Sequence, residues 1–337
     1  FDLYAARVRE HNRAINAICV MDLDAGRKAG RAADRAKGKR GPLHGLPMTV
    51  KESYDVAGWP TTWGLPQHKG NIAQADALAV ERLKRAGAIV FGKTNVPVLL
   101  ADWQSFNPIY GTTNNPWDLV RTPGGSSGGA AAALAAGLTG LELGSDIGAS
   151  IRNPAHYCGV YGHKPTWGIV PRTGQALPWQ QAASVDIGVV GPLARTAEDL
   201  ALALSVMAGP EPIEATGWQL RLPAPKQKKL RDFTVALMLD TPDIAVDQQV
   251  QDRLRALGDF LRKQKVNVDE RARPAIDPRE AFRVYTYLLP SATSDRQTDA
   301  DFPKNVELAR ALAPSDESYR ARAMRAAVMS HRDWLGF

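Results

Sequence analysis

Two serine segments walled by glycine constrain this chain more than any other feature of its sequence. The first reads Thr122-Pro-Gly-Gly-Ser126-Ser127-Gly-Gly129, and the second Gly144-Ser-Asp146-Ile147-Gly148-Ala149-Ser150-Ile-Arg152. Ser126 and Ser150 stand 24 residues apart, with an alanine-rich run between them. Glycine accepts left-handed backbone and lets chains approach closely, so each segment can turn tightly. Such turns aim a hydroxyl and several backbone N–H groups at one spot, the geometry that acyl transfer requires. Upstream, Lys51 closes the apolar run Leu46-Pro-Met-Thr-Val50.

The surrounding pattern alternates helices with strands. Residues 1–40 read as helix, with apolar positions such as Leu3, Val8 and Ile15 at helical intervals, followed by an Ala/Arg/Lys helix. Leu46–Val50 reads as a short strand delivering Lys51. Asp76–Ala86 reads as an amphipathic helix stopped by Gly87, leading into the strand Ala88–Phe91. Ala130–Ala136 reads as a small-residue helix ended by Gly137, and Leu141–Leu143 as the strand that delivers the second serine segment. Thr196-Ala-Glu-Asp199 opens a capped helix ending near Met207. A proline-rich connection over 210–230 precedes strand Phe233–Leu239, helix Asp247–Lys263, strand Val266–Asp269 and helix Arg279–Leu289. This order predicts an α/β fold with a mixed central β-sheet covered by helices on both faces.

At 337 residues and 44% hydrophobic, the chain can bury a large core as one big domain or two fused lobes. No apolar run approaches the roughly 20 residues a membrane-spanning helix needs. The start lacks the zones of a signal peptide, and two cysteines, Cys19 and Cys158, give neither a disulfide framework nor a metal spacing. A reducing cytoplasm is the expected location, and neither metal nor cofactor is expected. The net charge of +7 gathers in Arg27–Arg40 and Lys226–Arg231. Neither cluster interleaves aromatic residues as a single-strand groove does, so a solvated basic surface is expected and nucleic acid is not. A homodimer is compatible with the sequence.

The serine segments and the blocks around them resemble the amidase signature family, serine hydrolases of amides and sometimes of esters or carbamates. Gly41-Pro-Leu-His-Gly-Leu-Pro-Met-Thr-Val-Lys51, Gly92-Lys-Thr-Asn95, Gly111-Thr-Thr-Asn-Asn-Pro-Trp-Asp118, Cys158–Thr166 and Gly191–Thr196 stand in the family's order. The resemblance covers most of residues 7–208 and weakens to about residue 295. It implies a single amidase-type domain over 1–337, a catalytic core over 41–208 and a second α/β part over 231–337. Family members continue further, so the resemblance also implies that both ends are clipped. It selects Lys51 as base, Ser126 as the bridging serine after a cis peptide bond, and Ser150 as nucleophile. The N–H groups of Ile147, Gly148, Ala149 and Ser150 are then expected to hold the oxyanion. Ser127 is expected to support the first loop, and Asp146 with Arg152 to brace the second. Most relatives have glycine where this chain has Ala149.

Other readings of the same residues are weaker. Gly87–Thr94 matches a P-loop pattern formally, but its interior is Ala-Ile-Val-Phe, a strand and not a glycine-rich cradle. Gly124–Gly128 matches the nucleophile elbow of α/β-hydrolases, which leaves Lys51 and the second serine segment unexplained and requires His331 as the late histidine. Cys158 reads as a small core residue. The expected function is hydrolysis of a carbon–nitrogen amide bond through a serine acyl-enzyme, with aryl esters or carbamates as further substrates. One alternative is the glutaminase subunit of a tRNA-dependent amidotransferase, although Pro97–Gln104 lacks the pattern associated with those subunits. A non-catalytic scaffold or nucleic-acid partner is the alternative from another class. Trp59, Trp63, Trp103, Trp167 and Trp179, with Tyr110, Pro171 and Pro178, are expected to wall a pocket for an aromatic or hydrophobic small-molecule amide.

Overall fold

Alternation in the five residues Pro47–Lys51 sets the position of everything that follows. Met48 and Val50 point into one apolar cluster and Thr49 and Lys51 to the opposite side, because successive strand side chains face opposite ways. The computed structural model describes residues 1–177, 185–241 and 244–337. Two compact units, Phe1–Leu220 and Arg221–Phe337, divide the chain.

In the first unit, α1 (Asp2–Ile15), β1 (Ile18–Met21) and α2 (Leu23–Arg35) precede β2 (Pro47–Lys51). Then come α3 (Leu78–Arg85), β3 (Ile89–Thr94), a small ribbon of β4 (Phe106–Asn107) and β5 (Gly111–Thr112), and α4 (Gly128–Ala135). β6 (Glu142–Asp146), α5 (Arg152–Cys158), β7 (Tyr161–Gly162), β8 (Val189–Ala194) and α6 (Ala197–Met207) complete it. Six strands form one sheet in the order β1-β3-β2-β6-β8-β7. β2 is parallel to both β3 and β6, whereas β1, β8 and β7 pair antiparallel, so the sheet is mixed as expected.

Each face of the sheet carries its own core. On one side Met48, Val50, Leu143 and Val190 pack with Val80 and Leu83 of α3 and Ala203 and Met207 of α6. On the other, Ile18, Phe91 and Leu193 pack with Val8 of α1, Ala130–Leu134 of α4 and Cys158. Burial of these side chains, at roughly 25 cal/mol per Å² of apolar surface, is the main force holding both layers to the sheet. β1 interrupts what the sequence reads as continuous helix over residues 1–40. The four-residue Ile-Cys-Val-Met strand is too short for its own periodicity to show, and its pairing with β3 overrides the helical pattern around it. β8 is likewise hidden in the sequence, since Gly191 and Pro192 mask its strand character.

α4 is buried from Gly128 to Leu134, which only glycine and alanine with one leucine allow at so close an approach. A Cβ on Gly129 would lie 2.4 Å from the Asn95 backbone nitrogen, so that position admits no larger residue. Helix ends need outside partners for their last carbonyls. Arg7 supplies them to Ala136 and Gly137, and Arg195 to Leu134 and Thr139. With its C-terminus fixed this way, the N-terminus of α4 and Ser127, its N-cap, sit at the end of β2.

The second unit contains β9 (Thr234–Ala236) and β10 (Asn267–Asp269), paired in parallel, with α7 (Gln248–Lys263) between them in sequence. α8 (Pro278–Ala292), α9 (Asp301–Ala311), α10 (Tyr319–Ala327) and α11 (His331–Trp334) follow. Among the described residues no helix is long and apolar enough to cross a membrane.

Candidate active site

Lys51, the last residue of β2, is fully buried. Its Nζ lies 2.7 Å from Ser126 Oγ, 3.0 Å from Ser127 Oγ and 3.1 Å from Ser145 Oγ. Three hydroxyls from the two glycine-walled segments thus converge on one amine.

The first serine segment is held by close backbone contacts. Its Gly125–Ser126 peptide bond is cis. A Cβ on Gly125 would meet Asp102 O at 2.5 Å and the Gln104 backbone nitrogen at 2.7 Å, so glycine is required there. Ser105 Oγ donates to Gly124 O and accepts from Gly128 N, both at 3.1 Å, tying the segment to the start of α4. The Ser127 amide donates to Ser150 O at 3.1 Å, which joins the two segments directly.

Ser150 lies near the end of the turn between β6 and α5 and is almost entirely buried. Asp146 shapes this turn by accepting from the amides of Ala149 and Ile151 at 3.0 Å and of Arg152 at 3.3 Å. Arg152 adds Nε at 3.1 Å and Nη2 at 2.8 Å. Burial alone would raise the Asp146 carboxyl, but the Arg152 guanidinium and the turn amides hold it below its usual range. The Ala149 amide, expected to face an oxyanion, is bonded to Asp146. Ala149 itself sits at φ 72°, the left-handed region in which glycine is at ease and a Cβ is strained.

The asparagine-rich blocks of the sequence are scaffolding around this turn. Asn95 Nδ2 donates to Gly111 O and Thr113 Oγ1 at 3.0 Å, and Asn115 Nδ2 to Tyr157 O, also at 3.0 Å. The P-loop-like string forms β3, with Lys93 buried and bonded to Pro60 O and Thr61 Oγ1, which excludes a phosphate cradle. Cys158 lies in the core, where burial pushes its thiol up to about 12. Among the described residues no three His, Cys, Asp or Glu side chains gather as a metal cluster.

Of the tryptophans expected to wall a pocket, Trp103 meets the site, its Nε1 donating to Gly148 O at 2.7 Å. Trp63 is instead buried in a small cluster with Leu65 and Leu177, and Trp59 packs on the main core, so neither forms a wall beside Ser150. Trp167 is exposed and bonded to Val185 O. Trp179 and Pro178 lie outside the described residues. Ser145, Arg172 and Gln175 take part in the site although sequence reasoning does not reach them. Ser145 carries a readable signal, as a hydroxyl in the same string as Ser150, but nothing in sequence links Arg172 or Gln175 to Lys51.

A family model for amidases matches residues 2–333. An indoleacetamide hydrolase of Bradyrhizobium diazoefficiens is 40% identical over 275 residues, covering 80% of this chain and 52% of the relative. A glutamyl-tRNA(Gln) amidotransferase subunit of Sulfurisphaera tokodaii is 35% identical over 248 residues, 72% of this chain and 52% of that protein. The solved structure of 6-aminohexanoate cyclic dimer hydrolase superposes with a TM-score of 0.75 at 26% identity, covering 99% of this chain and 69% of that one. The chain therefore spans about half the length of the curated relatives it matches.

Proposed function

The chain belongs to the amidase family, and from that membership we propose that it hydrolyses a carbon–nitrogen amide bond through an acyl-enzyme on Ser150. The observation that carries this reading is the convergence of Lys51 Nζ on Ser126 Oγ at 2.7 Å, with the Ser127 amide bonded to the Ser150 carbonyl. A neutral Lys51 takes the Ser126 proton, Ser126 takes that of Ser150, and Ser150 Oγ attacks the carbonyl carbon. The amides of Ile147, Gly148 and Ser150 stabilise the tetrahedral oxyanion. The C–N bond then breaks as the relay returns a proton to the departing nitrogen. Water, activated by the same relay, attacks the acyl-enzyme and releases the acid.

Aromatic or hydrophobic amides are the substrate class this reading favours, with aryl carbamates or esters as further substrates. Exposed Trp103, bonded to the loop that carries Ser150, and the 40% identity to an indoleacetamide hydrolase support it. The similarity to amidotransferase subunits favours a second reading, release of ammonia from glutamine within a complex. A fluorophosphonate should label the Ser150 peptide in digest spectra, and Ser150→Ala should abolish labelling. Label on Ser127 or Cys158 would overturn the assignment. A panel of anilides, indole-bearing primary amides, carbamates and glutamine separates the two substrate readings.

A further inference from the structure

Besides Ser126, Lys51 meets a second chain of hydrogen bonds that the proposed relay does not use. The Ser127 hydroxyl donates to Ser145 O at 3.3 Å, so toward Lys51 it presents a lone pair. Ser145 Oγ, 3.1 Å from Lys51 Nζ, accepts from Gln175 Nε2, also at 3.1 Å. The same Nε2 reaches Ser53 Oγ at 3.3 Å.

The orientation of Gln175 follows from what holds its other end. Its Oε1 faces Arg172 Nε at 3.2 Å and Arg172 Nη2 at 2.9 Å. Guanidinium nitrogens only donate, so this end of the amide must be the oxygen, and the nitrogen must face the serines. Gln175 is 1% exposed and Ser145 7%, so water does not compete strongly for these bonds.

We infer that Gln175, clamped by Arg172, is a positioning residue for the Lys51 base. It turns the positive end of its amide dipole, backed by the Arg172 charge, toward Ser145 and through it toward Lys51, keeping the amine neutral with its lone pair on Ser126. This rests on the reading of Lys51 as base. A positive potential on one side of an amine disfavours its ammonium form, and in a low-dielectric core that effect is strong. The Arg172 charge is felt in this part of the core. Burial pushes the Tyr54 phenol up, and Arg172 opposes that rise, while the phenol donates to the carbonyl of Gly144, next to Ser145.

Other charged and titratable groups lie on the segments around Lys51, although α4, built of glycine, alanine and leucine, carries none. Glu142 on β6 is bonded to Thr49 and Thr94, and Lys93 on β3 to Thr61. Glu52 is held by the amides of Thr62 and Trp63, and Asp146 by Arg152. Substitution at position 175 leaves all of these groups in place.

The test follows the rate of Ser150 labelling by a fluorophosphonate against pH, in the full chain, for wild type, Gln175→Met, Gln175→Glu and Lys51→Ala. Loss of the donor in Gln175→Met should move the acid limb up by about one pH unit, about tenfold slower labelling below the midpoint, with a near-unchanged alkaline plateau. Gln175→Glu, which keeps the shape and pairs with Arg172 should Met at 175 not fold, replaces the donor by a negative charge. Its limb should move further in the same direction. A lower plateau with an unmoved limb in both variants would reduce Gln175 to a packing role and overturn the inference, leaving the base assignment intact. Lys51→Ala labelling as fast as wild type would overturn the base assignment and the inference with it.

Discussion

Asp146 and Arg152 clasp each other across the turn that carries Ser150, with Nη2 to Oδ1 at 2.8 Å and Nε to Oδ2 at 3.1 Å. The carboxylate is buried while the arginine remains half exposed, so the pair's main effect is to hold the carboxylate ionised where it can receive three turn amides. Asp146→Asn keeps the shape but loses the charge and one acceptor. Labelling of Ser150 is expected to slow by about a hundredfold, the scale of a disturbed oxyanion site. Because the folded carboxyl sits below its ordinary 3.8, the stability it contributes is present above that pH and lost as pH falls through the folded value. Acid unfolding of Asp146→Asn should therefore be shallower than that of wild type.

Ala149 holds φ 72° next to Ser150. A non-glycine residue there costs roughly 1–2 kcal/mol. Ala149→Gly is expected to raise the melting temperature by a few degrees, offset partly by the greater freedom glycine gives the unfolded chain. A melt unchanged or lowered would show that the methyl makes contacts outweighing the strain.

Glu142 gives the opposite pH dependence. Burial between β2, β3 and β6 pushes its carboxyl up to about 8, and Thr49 and Thr94 only partly offset this. The folded chain then binds more protons than the unfolded one between the ordinary 4.5 and about 8. The stability contributed by protonated Glu142 is fully present below 4.5 and lost as pH rises to about 8. Glu142→Gln mimics the protonated form and should flatten this decline in denaturant titrations at pH 5, 7 and 9. Equal slopes for both proteins would assign the decline to other groups.

How legible these features are depends on their range along the chain. Lys51, Ser126 and Ser150 stand in glycine-rich or strand-end strings whose local chemistry is readable, and α4 announces itself by its alanines. The mixed sheet follows from strands alternating with helices. β1 and β8 do not show, because a four-residue strand and a strand containing Gly191-Pro192 acquire their form from neighbours. Arg7 and Arg195 cap the same helix from positions 130 and 61 residues distant from their partners Gly137 and Leu134, a relation no local pattern carries. Gln175 is invisible for the same reason. The commitment of the Ala149 amide to Asp146 is a matter of turn geometry, which residue types alone do not fix.

Lys51 must lose a proton to serve as base, so labelling of Ser150 is expected to rise from neutral into mildly alkaline pH. Lys51→Met should slow it by roughly 10²–10⁴-fold with circular dichroism unchanged. A rate limited by a group titrating like a free histidine, and indifferent to Lys51, would point to an α/β-hydrolase arrangement instead.

Trp103 offers the most direct test of substrate class. It is 60% exposed, yet its indole nitrogen is tied to Gly148 O at 2.7 Å, so an apolar face stands fixed beside the loop that carries Ser150. An indole in that position can stack on an aromatic ring of the substrate, a contact contributing about 0.5–1.5 kcal/mol beyond the area it buries. Trp103→Ala is therefore expected to raise KM for aryl amides by about three- to tenfold while changing short aliphatic amides little. Trp103→Phe keeps a ring but drops the bond to Gly148, so it should spare KM and lower kcat through a looser loop. Equal rises of KM for aromatic and aliphatic amides in Trp103→Ala would remove the stacking role. A profile led by glutamine in the wild-type protein would favour the reading as an amidotransferase component over the aromatic one.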